Sequence, residues 1–168
     1  MKIRTAIKLD QTAGSWQWWA VFIAVLGLII VAAIYPASDP DLYIMLTTGR
    51  YVAQTGQIPR ADLWSHTAYG QPWNMHEWFS SLIFYGVFSL LGVHGIILLK
   101  TILLVLAFGL AVYVMKIKGV NPDIALTTAV LGLLAAHWGF AERIQIFGFF
   151  FIVATQCWIE LFKQGKVK

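Results

Sequence analysis

Charged residues are scarce in this sequence, and their scarcity excludes an ordinary soluble domain. Only 12% of the 168 residues are charged, whereas soluble domains carry about a quarter. Hydrophobic residues make up 59%, and the mean hydropathy is +0.71. A soluble fold of this length could not bury so much apolar surface. The surrounding solvent is therefore predicted to be lipid.

Cysteine pairs and basic stripes are also missing. The single cysteine, Cys157, excludes an intrachain disulfide, and its apolar surroundings are typical of a buried thiol. The net charge is +4, but the Lys and Arg residues mostly flank apolar runs. That distribution is typical of anchoring to lipid headgroups. Membrane lipids are therefore predicted as partners and nucleic acid is not.

The first apolar run predicts a retained membrane helix. Residues 16–35 are long enough to cross a hydrocarbon core of about 30 Å, and longer than the core of a signal peptide. The basic residues within residues 1–15 predict a cytoplasmic N-terminus by the positive-inside rule. A cytoplasmic N-terminus and the further apolar runs predict a multi-pass protein of the inner (cytoplasmic) membrane.

One long polar interval follows the first apolar run, and further apolar runs come after it. Residues 36–77 are predicted to form an extracytoplasmic loop, in which DLYIMLTTGRYVAQTG has the pattern of an amphipathic surface helix. Residues 78–162 are predicted to form a helical membrane bundle, and residues 163–168 a basic tail. The fold class is therefore an all-α integral membrane protein.

The predicted number of membrane crossings depends on the apolar sequence between Trp78 and Met115. It is too long for one span, and the sequence GVHG at residues 92–95 predicts a helical hairpin. Five crossings are favoured by the hydrophobicity of the first run and by Lys100, which could extend to the cytoplasmic interface. The alternative is four crossings with residues 78–93 re-entrant, which would place the basic segment KIK and the basic tail inside.

Two carboxylates follow the first helix in the sequence DPDLY. If the backbone is extended, Asp39 and Asp41 share a face and could bind Mg²⁺ or Mn²⁺, which prefer oxygen ligands. The structural alternative is a helix N-cap formed by Asp41 ahead of LYIML, and spacing alone favours it. A zinc site at His66, His76 and Glu77 is not supported by their spacing.

A second charged step, Glu142-Arg143, separates two apolar runs. Charges at that depth are costly unless they are paired or lie at a boundary, and a boundary ion pair is the favoured interpretation. Small residues recur at helical spacing in the preceding run, as helix interfaces in membranes require. That predicted interface comprises Ala125, Thr128, Ala129, Gly132 and Ala136.

Several short motifs stand in a fixed order from the first loop onward. The segment ERIQIF, with Arg143 and Gln145, ends the series. The earlier pieces are Asp39-Pro40-Asp41, Thr48-Gly49, Gly56-Gln57-Ile58-Pro59-Arg60-Ala61-Asp62, Ser65, Thr67, Gly70-Gln71-Pro72-Trp73 and Trp78. Together they resemble the first extracytoplasmic loop of GT-C-type membrane glycosyltransferases, in particular a bacterial group mostly described as hypothetical.

The resemblance implies transfer of a sugar from a polyprenyl phosphate outside the cytoplasm. It assigns Asp39 and Asp41 as catalytic residues and as ligands of Mg or Mn, because a cation there could neutralise the leaving phosphate. It makes Arg50, Arg143 and Gln145 the candidate contacts to the lipid phosphate.

This sequence departs from the family pattern in three respects. Met45 stands where the family often has histidine, Ile144 stands where it has proline, and about five helices replace eight or more. We therefore expect a shortened N-terminal module that serves as a non-catalytic, accessory subunit of a larger membrane complex. The alternative is a minimal lipid-phosphate-dependent glycosyltransferase. The small-residue face from Ala125 to Ala136 is expected to pack on the chain's own hairpin or on a partner subunit.

Overall fold

The computed structural model describes residues 14–34, 39–136 and 139–167, and five helices account for most of them. The described part contains no strand, only an isolated bridge between Ala61 and Pro72. Outside it lie the basic residues of 1–13, Tyr35 at the end of the first predicted span, and the last residue. The helices are α1 (Ser15–Ala33), α2 (Pro40–Thr55), α3 (Trp78–Ile117), α4 (Pro122–Ala136) and α5 (Gln145–Lys163).

Three of these helices, α1, α3 and α5, are long and apolar enough to cross a membrane. A helix rises about 1.5 Å per residue, so the 19 residues of α1 and of α5 each reach about 28 Å. The helix α4 is apolar but has only 15 residues. The prediction of an all-helical protein with helices suited to a membrane is confirmed at this level.

The amphipathic helix predicted in the loop is α2. Its buried residues fall one helical turn apart, at Leu42, Met45, Thr48 and Val52. It ends at Gly56, whose φ of 68° is the left-handed conformation that glycine adopts at helix C-termini. The predicted cap is wrong by two residues. The N-cap is Asp39, because Pro40 fits the first helical position and leaves Asp41 inside the first turn.

The helix α3 breaks at Gly92, the first residue of the predicted GVHG turn. Gly92 has φ 61° and ψ −152°, which is outside the helical region. A Cβ placed on Gly95 would lie 3.0 Å from the carbonyl oxygen of Val87. In a straight helix residues eight apart are about 12 Å apart. The chain therefore folds back, and α3 has a short arm (residues 78–91) and a long arm (residues 93–117).

The long arm of α3 and α5 run in the same direction. At their C-terminal ends, the side-chain amide of Gln164 donates to the carbonyl oxygen of Ile117 at 3.1 Å, and Lys118 Nζ lies 3.8 Å from Glu160 Oε2. Near the start of α5, Ile146 belongs to one buried cluster with Ile96 of the long arm. The lysines that follow both helices therefore lie at one end of the bundle.

The helix α1 runs in the opposite direction. Phe22 faces Gly109 of the long arm, 3.6 Å from the position of an added Cβ. Five Cα steps, at most about 19 Å, separate Ile34 from Asp39, which is bound to Arg143 just before α5. Because α5 is about 28 Å long, the end of α1 must lie towards the start of α5. The start of α1 therefore lies at the same end as the C-termini of α3 and α5.

The predicted small-residue face of α4 divides between two environments. Ala125 and Ala129 are buried in a cluster with α1 and the long arm of α3, so they pack within the chain. Thr128 and Gly132 are exposed, and Ala136 is half-buried. Of the two predicted packing partners, the chain's own hairpin accounts for the buried alanines in part, through its long arm, and α1 completes their surroundings.

Candidate functional site

The two predicted carboxylates meet Arg143, from which they are about a hundred residues distant in sequence. Arg143 Nε donates to Asp39 Oδ2 at 2.6 Å, and a second guanidinium nitrogen donates to Asp39 Oδ1 at 3.2 Å. The same nitrogen lies 3.1 Å from Asp41 Oδ2. One guanidinium thus binds both carboxylates and joins the start of α2 to the segment before α5. Arg143 does form an ion pair, but its partners are Asp39 and Asp41 rather than Glu142.

The Asp39 carboxylate also has a local function. Its Oδ1 accepts a hydrogen bond from the backbone N–H of Asp41 at 2.9 Å, which satisfies one of the free donors at the start of α2. The hydrogen bonds from Arg143 lower the pKa of Asp39; burial opposes them, and the Asp41 N–H adds to them. Asp39 is therefore ionised and doubly bound, whereas the side chain of Asp41 is 52% exposed.

The guanidinium lies in an acidic setting. The hydrogen bond to Asp39 raises the pKa of Arg143, and the charges of Asp39, Asp41 and Glu77 act in the same direction against partial desolvation. His76 Nε2 lies 3.6 Å from Glu77 Oε1, at the start of α3. The starts of α2, α3 and α5 therefore place their polar residues together.

A second ion pair, between Lys100 and Glu142, is buried beneath the first. Lys100 Nζ bonds Glu142 Oε1, and each side chain is only 3% exposed. The expectation that Lys100 extends to the interface is wrong, because Glu142 meets its charge inside the bundle. The sequence signals of this pair were a lysine inside one apolar run and a glutamate at the edge of another apolar run. Each charge needs a partner in such a setting, but the sequence does not show which.

The structure does not bring the other predicted site residues together. Gln145 is exposed two residues after Arg143. Arg50 is exposed eleven residues along α2 from Asp39, about 16 Å away. Among the described residues no three of His, Cys, Asp and Glu are grouped so that they could hold a metal. His66 is exposed in the loop and joins no such group.

Several residues of the loop motifs form hydrogen bonds, turns and packing contacts within the loop. Asp62 accepts hydrogen bonds from the backbone N–H groups of Trp64 and Ser65 and, at 2.5 Å, from the Ser65 hydroxyl. These hydrogen bonds lower the pKa of Asp62, and the bond from the Ser65 hydroxyl has the largest effect. Gly70 has φ 79°, and Trp73 packs edge-on against Trp64. These residues form turns and packing contacts within the loop.

No protein-family model, curated protein or solved structure matches this chain.

Proposed function

We propose that the protein is a non-catalytic, structural component of a bacterial inner membrane, with other membrane proteins as its partners. The observation that supports this function best is the binding of both Asp39 and Asp41 by Arg143. A divalent cation would have to displace the guanidinium and leave it beside the ion. The alternative, a glycosyltransferase using a polyprenyl phosphate, requires those carboxylates as metal ligands.

We also propose a topology of four crossings, by α1, the long arm of α3, α4 and α5, with the N-terminus in the cytoplasm. The start of α1 and the C-termini of α3 and α5 lie at one end, where Lys116, Lys118, Lys163 and Lys166 also lie. In the sequence, three basic residues precede the start of α1. The positive-inside rule favours that end as cytoplasmic. The short arm, about 20 Å long, then stays on the outer side as a re-entrant segment.

Two engineered cysteines distinguish four crossings from five. In a Cys157→Ser background, His94→Cys should react with a membrane-impermeant maleimide in intact cells, because residue 94 follows the Gly92 turn on the outer side. Lys118→Cys should react only after permeabilisation. Five crossings predict the reverse at both positions. Gln57→Cys serves as the control, because the loop lies outside in both topologies.

The acidic pair provides the test of function. We expect no saturable Mn²⁺ binding at pH 7, measured by calorimetry on the purified protein. Asp39→Ala should lower the free energy of unfolding by about 1–2 kcal/mol, because it removes the cap and an ion pair. Asp41→Ala, two residues further along the chain, is the matched control. It should cost less than about 1 kcal/mol because that side chain is half exposed.

The effect of pH on the Asp39 variant follows from its pKa. The folded-state pKa of Asp39 is lowered, so its contribution is present above the unfolded value of about 3.9 and is lost as the pH falls through the folded value. The stability difference between the wild type and Asp39→Asn should therefore be constant near pH 7 and narrow below pH ~4. Saturable Mn²⁺ binding that Asp39→Asn abolishes would instead contradict the proposal and reveal the metal site that the glycosyltransferase alternative requires.

A further inference from the structure

An apolar groove of about 550 Å³ separates the short arm of α3 from the start of α5. This volume is within the range of small-molecule sites, about 300–1,000 Å³. The exposed rings of Phe79 and Phe151 flank it, and Gly148 forms part of its floor. A Cβ on Gly148 would meet no other atom within 4 Å, so the groove is open at that point.

The polar end of the groove is acidic. His76 and Gln145 line it there. Beyond this lining, Glu77 lies 3.6 Å from His76, and Arg143, two residues before Gln145, binds Asp39 and Asp41. The charge of Glu77 also acts on Arg143, so three carboxylates act on one guanidinium and leave an excess of negative charge. From Gln145 to Phe151 the groove then follows α5 for about 9 Å into the apolar part of the helix. The groove therefore combines an acidic mouth with an apolar interior.

We propose that this groove binds one hydrocarbon chain of a membrane lipid whose headgroup carries an ammonium, with the ammonium at the acidic mouth. Hydrocarbon is the solvent that such a groove meets in a bilayer, and the chain would cover Phe79, Gly148 and Phe151. The charge at the mouth decides the headgroup. An ammonium offsets the excess negative charge, whereas a purely anionic headgroup would add to it. The inference is independent of the structural function proposed above.

Native mass spectrometry of the full chain in mild detergent tests the proposal. The probes are phosphatidylethanolamine and phosphatidylglycerol with identical acyl chains, added separately. We expect the wild type to retain the ethanolamine lipid about threefold better, the size of effect typical of one partly exposed charge pair. Glu77→Gln should bring the ratio towards one without abolishing retention, because the groove itself is unchanged.

A variant that fills the groove tests whether the retained lipid is bound there or elsewhere on the protein. Gly148→Leu should abolish retention of both lipids, because the leucine occupies the floor. Gly27→Leu on α1 is the matched control, since a Cβ there also meets nothing within 4 Å, and it should bind as the wild type does. Equal or better retention of phosphatidylglycerol overturns the headgroup assignment. Unchanged retention in Gly148→Leu, or a lipid-free dimer that this variant dissociates, overturns the lipid site.

Discussion

Replacing Lys100 with methionine is expected to lower the free energy of unfolding by about 3–5 kcal/mol, the cost of leaving a buried charge without its partner. Glu142 is 3% exposed, so after the replacement its carboxylate would have to stay charged in an apolar setting or take up a proton. Reversible unfolding in mixed detergent micelles, followed by circular dichroism, measures the change.

Two further variants test whether the loss of stability comes from the ion pair between Lys100 and Glu142. The double variant Lys100→Met and Glu142→Met should recover most of the loss, because an apolar pair of similar volume is often as stable as a buried ion pair. Lys118→Met is the matched control, because Lys118 is half exposed and Glu160 keeps Lys163 as a second partner. It should cost no more than about 1 kcal/mol. Equal effects of Lys100→Met and Lys118→Met would contradict a buried ion pair at Lys100.

Replacing Gly49 with alanine is expected to destabilise the fold by about 3 kcal/mol or more, at the upper end for overpacking. A Cβ on Gly49 would lie 2.6 Å from Tyr85 Cβ and still closer to the carbonyl oxygen of Ser81. Because one of these atoms is backbone, a side-chain rotation cannot relieve the clash. Intrinsic helix propensity favours alanine by only about 1 kcal/mol, so the clash determines the sign.

The matched control for this prediction is Gly27→Ala in α1, where a Cβ meets nothing within 4 Å. That variant should be neutral or more stable by up to about 1 kcal/mol. Thermal unfolding of both variants in the same detergent gives the comparison. A Gly49→Ala protein as stable as Gly27→Ala would show that α2 does not pack against the short arm as closely as the structure places it.

The class of the protein and most of its helices could be predicted from composition and local pattern. Scarce charge and long apolar runs require lipid as solvent whatever the tertiary structure is. The helix α2 follows from its one-face periodicity, and the break in α3 from Gly92, since these depend on neighbours in sequence. Local pattern predicts Asp41 as the N-cap, whereas the structure has Asp39 there. Aspartate favours the N-cap at either place, and the position of Pro40 decides between the two.

The pairing of charges was decided only by the tertiary structure. Nothing in local sequence links Asp39 to Arg143, 104 residues away, or Lys100 to Glu142, 42 residues away. Each pair forms because helix packing brings together charges that an apolar setting would otherwise penalise. The same packing determines which helix ends lie together. Hydropathy finds an apolar segment but not its direction. The bond of Gln164 to Ile117 and the bond of Arg143 to Asp39 show which helix ends lie together.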